Sequence, residues 1–174
     1  MRKGGSFFVA SVLGVCLAFV IMFNIYLFDS LEYKESYAYI PHQQTITETL
    51  DNNESIKLIN KLNNREFNIV YVENANFDGQ VRFCAVFDNT IYINKAITSD
   101  APRFVWTYAH ESVHANFLCL DERKTQYLTF KLLYESGNEF FKQVALKQAS
   151  MMINLSDKQY DATYYIAEYL KNKK

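Results

Sequence analysis

Five consecutive residues, His110-Glu111-Ser112-Val113-His114, carry the clearest capacity for chemistry in the chain. In an α-helix, side chains four apart stand on one face, one turn along. Two imidazoles so placed can chelate one metal ion, and Zn²⁺ accepts such nitrogen ligands at about 2.0–2.1 Å. Glu111, beside the first histidine, can hold a water in the open coordination position of the metal. It can then take the proton of that water and pass it to a leaving amine. Each position of the H-E-x-x-H string thus has a physical task. Over residues 105–120 Glu111 is the only formal charge apart from the histidines. A carboxylate in so apolar a helix is expensive unless it is paired or linked to a metal. A pair of packed, hydrogen-bonded core histidines is the plain alternative.

The elements around the string follow from capping and periodicity. Asp100 is a good N-cap and Pro102 falls in the first turn, so the helix bearing the string should run to about Phe117. Asp121 can cap a second helix over 122–134, ended by Gly137, and a third should cover 139–153. Asp157 is the expected cap of a fourth, with Tyr160, Tyr164 and Ile166 toward the core. Upstream, Leu50, Ile56, Leu58, Ile59 and Leu62 outline a helix over 47–62, capped by Asp51 or Ser55. Three β-type runs lie between, at 67–72, 81–87 and 90–94, with a turn signal at Asn76-Phe77-Asp78-Gly79. These patterns predict an α+β domain with a small, mainly antiparallel sheet.

The H-E-x-x-H string, the preceding short strands and a downstream acid resemble the zincin metallopeptidases, in particular their small gluzincin-like branch. The resemblance covers residues 67–133, judged by element order. It implies a zincin-like α+β domain in which two histidines and a glutamate hold Zn²⁺ and the motif glutamate, Glu111, is catalytic. A metzincin is disfavoured, because Leu120 stands where its third histidine would fall and Phe117 where its glycine would. The acidic candidates downstream are Asp121, Glu122, Glu135 and Glu139. Glu122 precedes Thr125 by three on the second helix, which resembles the small gluzincin pattern of a ligand glutamate followed by a small residue. The resemblance therefore implies a metal set of His110, His114 and Glu122, with Glu135 (at a spacing closer to thermolysin-like enzymes) and Asp121 as the other candidates. It also places the 90–94 run where zincins have the edge strand along which a peptide lies. Tyr108, Tyr127 and Tyr134 are candidates to polarise a scissile carbonyl. Trp106, four residues before His110, is expected to pack beneath the site. His42 reads as a surface residue.

The rest of the chain concerns placement. Residues 6–28 carry no charge, and about 20 such residues in a helix span a bilayer. The run is longer than the apolar core of a signal peptide and ends in Ile25-Tyr26-Leu27-Phe28 rather than in small residues. A transmembrane anchor over 1–28, a stalk over 29–45 with Pro41 as punctuation, and a peptidase domain over 46–174 are the expected organisation. Arg2 and Lys3 precede the run while Asp29, Glu32, Lys34 and Glu35 follow it. The positive-inside rule then keeps the N-terminus in the cytoplasm and exports the domain. Cys16 falls in the span, whereas Cys84 and Cys119 would meet an oxidising compartment as a pair or as two buried thiols. With 18 basic and 19 acidic side chains, the balance argues against a nucleic-acid partner. The expected activity is zinc-dependent hydrolysis of peptide bonds in a peptide or protein substrate. A membrane-tethered binding or inhibitory module on the same scaffold is the rival, and an amide outside proteins, such as a cell-wall crosslink, is a further substrate class.

Overall fold

A computed structural model of the protein describes residues 39–41, 45–81, 89–117, 120–153 and 162–173. These form an α+β fold of five helices and one small mixed sheet. Helix α1 (Asn52–Asn63) starts where the Asp51 carboxylate accepts the N–H groups of Asn53 and Glu54. It ends at Asn64 in the left-handed region, a conformation asparagine tolerates. Strands β1 (Asn68–Val72), β2 (Gly79–Val81) and β3 (Thr90–Asn94) follow, then a 3₁₀ turn (Lys95–Ser99). Helix α2 (Ala101–Asn116) carries the H-E-x-x-H string, and α3 (Glu122–Tyr134), α4 (Glu139–Met152) and α5 (Thr163–Lys171) complete the order. Gly137 between α3 and α4 has φ +76°, which a glycine adopts without steric penalty. Helix α5 begins after Ala162 without a side-chain cap; Asp157 and Tyr160 lie outside the described residues.

The sheet differs from the expected one. Its order is β1-β3-β2, with β1 parallel to β3 and only β2 antiparallel to it. Neighbouring strands joined by short connections ordinarily form hairpins, which is why an antiparallel sheet was the natural expectation. Here the chain passes from β1 over the place of β3 before β2 forms, so β3 enters between them. The 90–94 strand is therefore the sheet centre, paired on both sides, and not the edge. Its Ile91 and Ile93 are fully buried, as a strand with neighbours on both sides and helices on one face requires.

The core lies between that face and the helices. Ile91, Ile93, Phe104, Val105, Tyr108 and Ala109 meet Phe130, Leu133, Phe141 and Ile166. Ile40 joins this core and Tyr39 packs against it. Among the described residues no helix is long and apolar enough to cross a membrane. The 6–28 run, His42, all three cysteines and most of the 81–87 run lie outside the described residues.

Candidate metal centre

Helix α2 is held in one rotation by polar contacts along the side that meets α1. The Tyr108 hydroxyl donates to Asn60 Oδ1 at 2.6 Å, Asn63 Nδ2 to Ser112 Oγ at 2.9 Å, and Asn116 Nδ2 to Asn63 Oδ1 at 2.7 Å. Arg65 caps the far end by donating to the Ala115 carbonyl at 2.7 Å. At the near end Asp100 accepts the Arg103 N–H, as its capping pattern requires. With Tyr108, Ser112 and Asn116 committed to α1, helical spacing turns Thr107, Glu111 and His110–His114 toward β2 and α3.

The returning helix completes the cluster. Asp121 caps α3 by accepting the Lys124 N–H, which makes Glu122 the first helical residue. Its carboxylate reaches both histidines with separate oxygens: His110 Nε2 to Oε2 and His114 Nε2 to Oε1, each at 3.2 Å. The three side chains form a group whose ligand atoms all lie within 4.8 Å of one another, able to hold a metal ion. A tetrahedral ion with bonds of about 2.1 Å separates its ligand atoms by about 3.4 Å. The two 3.2 Å separations, each to a different carboxylate oxygen, are close to that spacing, and a modest closing of the group would bring one atom from each residue onto an ion.

Thr125 strengthens the fit. It is fully buried one turn after Glu122, its Oγ1 donating to the Asp121 carbonyl at 3.1 Å and standing 3.4 Å from His114 Nδ1. With its proton committed to that carbonyl, the oxygen is free to accept from Nδ1 whenever that nitrogen carries hydrogen. A neutral His114 held this way would keep Nε2 free for a metal ion shared with Glu122, and a protonated one donates Nε2–H to the carboxylate instead.

The electrostatics agree. The hydrogen bonds from His110 and His114 hold the Glu122 carboxyl far below the usual carboxylate range. Burial works against charge on His114, but the hydrogen bond and charge of Glu122 outweigh it and raise the imidazole. Glu111 moves the other way. It is 8% exposed, and loss of water around the carboxylate raises it despite the nearby histidines.

The other candidates go elsewhere. Asp121 caps α3 and does not join the cluster. Glu135 accepts from the Tyr169 hydroxyl at 2.6 Å and pairs with Lys173 at 3.0 Å, and Glu139 lies 3.8 Å from Lys142. None of the three tyrosines is shown aimed at the histidines. Tyr108 is fully buried and bound to Asn60. Tyr127 packs its ring against Tyr165 and Tyr169, and Tyr134 against Phe130 and Tyr169. Trp106 is buried in the core.

Two residues beside Glu111 escaped sequence reasoning. Gly79 reads as the end of a turn, and Val81 as one more apolar strand residue. The structure starts β2 at Gly79 and sets both against α2. An isolated glycine at the head of a strand was the available signal, since it often marks a close approach of backbone.

No protein-family model, no curated protein and no solved structure matches the chain. The functional reading therefore rests on the site itself, which resembles the H-E-x-x-H and glutamate site of zincins.

Proposed function

We propose that the protein is a zinc-dependent metallopeptidase, tethered by its N-terminal apolar segment with the domain on the extracytoplasmic side. One observation carries the reading: the acid that the family pattern selects, Glu122, places one oxygen against each histidine of the motif. His110, His114 and Glu122 would hold the ion. When bound there, Zn²⁺ supplies Lewis acidity, which makes water a nucleophile near neutral pH and polarises a carbonyl.

The remaining chemistry belongs to Glu111. Its buried carboxylate, raised by desolvation, is suited to take a proton from water and return it to the departing amine nitrogen. Its place one residue after His110 sets it beside the cluster. The polar bonds from α1 fix the helix rotation, so the base keeps its aim through both transfers. Residues 6–28 support the tether and Arg2 and Lys3 its orientation.

The test uses the full-length protein in detergent micelles. About one zinc per chain is expected in the wild type, lost in His110→Ala and Glu122→Ala and kept in Glu135→Ala. Fluorescein-labelled casein should be cleaved by the wild type and not by Glu111→Gln, which keeps its metal. Zinc retention without cleavage of any peptide library would favour the tethered binding module. A folded protein that takes up no zinc would remove the reading.

A further inference from the structure

Strand β2 meets α2 more closely than a side chain would allow. A Cβ at Gly79 would fall 2.5 Å from Thr107 Cγ2 and 2.8 Å from Glu111 Cγ. Real Cβ atoms do not approach so near, so the strand reaches the helix only because residue 79 is glycine. The same strand offers Glu111 a donor. Asn94 N–H donates to the Asp78 carbonyl at 2.8 Å, and the antiparallel register pairs Gly79 with Ile93. Bonded and non-bonded pairs alternate in such a ladder, so Gly79 and Val81 turn their backbone groups away from β3. The outward Val81 N–H lies on the side of β2 where Glu111 packs against Gly79, and it favours the charged carboxylate. A further clamp sits just upstream, where Arg103 in the first turn of α2 binds both Asp78 oxygens at 2.7 Å.

We propose that the outer edge of β2 is the seat of the Glu111 carboxylate: the Val81 amide fixes it, and the bare Gly79 backbone admits it. Gly79 and Val81 are thus positioning residues acting through Glu111, and the inference rests on the reading of Glu111 as the base. A carboxylate with one side held by a fixed amide keeps its free lone pairs in one direction. That saves the reorganisation a mobile base would need at each proton transfer. The contact also gives the short β2 strand a chemical task that its length would not reveal.

The test reads the contact apart from turnover. Full-length, zinc-loaded protein labelled with ¹⁵N-valine is compared as wild type, Glu111→Ala and Gly79→Ala, with the Val81 resonance assigned through Val81→Ile. Val81 amide exchange should be about tenfold or more slower in the wild type than in either variant. Zinc content should stay the same in all three. With labelled casein, Gly79→Ala should lower kcat about tenfold or more while leaving KM within about twofold, the signature of a displaced base.

Equal Val81 exchange in wild type and Glu111→Ala would overturn the proposal, and that comparison stands even where Gly79→Ala does not fold. A folded Gly79→Ala protein with wild-type exchange and kcat would overturn it as well. Wild-type protection of Val81 in a protein that cleaves nothing would uphold the contact and remove the peptidase reading instead.

Discussion

Glu122 and Glu135 stand at opposite ends of α3 with almost the same side-chain exposure, 37% and 39%, yet they keep different company. Glu122 opens the helix, where the unpaired N–H groups favour a negative charge, and faces two imidazoles. Glu135 closes it, at the end where the helix disfavours a carboxylate, and meets a phenol and a lysine brought by the last helix. Both carboxyls are held below their ordinary range, one by histidines and the other by Tyr169 and Lys173. A lowered carboxyl thus does not mark a metal ligand. What separates the two ends is the kind of partner: histidine nitrogens have lone pairs to share with a cation, whereas a tyrosine hydroxyl and an ammonium already satisfy the charge.

The strongest way to break this contrast is to remove each acid in turn. Glu122→Ala should weaken zinc binding about a hundredfold or more, measured by competition with a chromophoric chelator, while Glu135→Ala leaves it unchanged. Equal losses would merge the two ends into one site. Metal removal gives the next largest effect. Zinc at about 100 times its dissociation constant stabilises a folded protein by about 2.7 kcal/mol. Chelation should therefore lower the thermal midpoint of the wild type and of Glu135→Ala, and leave Glu122→Ala where it was. A midpoint that falls equally in Glu122→Ala would place the ion elsewhere.

The contrast also shows what the sequence could and could not say. The helices were legible because their caps are local. Asp51, Asp100 and Asp121 each accept an N–H from the turn that follows, so α2 and α3 start where those residues predict. Helix α1 starts at Asn52, after the Asp51 cap, and not at 47 where apolar spacing put it. The sheet was not, because strand order is a long-range property. The run Thr90–Asn94 has the same composition whether it lies at an edge or, as here, between two neighbours. The histidine pair was legible from helical spacing, and the third member of the cluster from a resemblance to a known pattern. Spacing alone left Glu122, Glu135 and Asp121 open, since the choice depends on how α3 returns against α2. Gly79 was the least visible. A glycine after Asn76-Phe77-Asp78 looks like part of a turn, and only its distance to Thr107 and Glu111 shows why it has no side chain.

Thr125 sharpens the contrast at a smaller scale, because it belongs to one end of α3 only. Thr125→Val keeps the shape of a fully buried residue and removes the oxygen beside His114 Nδ1. Zinc affinity should fall about tenfold, the usual effect of losing a hydrogen-bond partner behind a ligand. Thr129, one turn further along, has its hydroxyl bonded to the Thr125 carbonyl. Thr129→Val should therefore leave the metal affinity unchanged. Equal losses from both substitutions would mean that packing, and not the His114 contact, governs the affinity.

The smallest effect is expected at the far end. Glu135→Gln keeps an acceptor for the Tyr169 hydroxyl but removes the charge that pairs with Lys173. Both members of that pair are substantially exposed, 52% for the lysine, so solvent screens most of their attraction. Thermal or urea unfolding should register a loss within about 0.5 kcal/mol, and zinc affinity should not move. The phenol contact is the part worth isolating, because burial and the Glu135 charge both raise Tyr169 and so keep its proton on the donor side. Tyr169→Phe should then destabilise more than Glu135→Gln, since it deletes the hydrogen bond that the glutamine preserves. The reverse order would mean that the charge at Glu135, and not the shared proton, ties the end of α3 to the last helix.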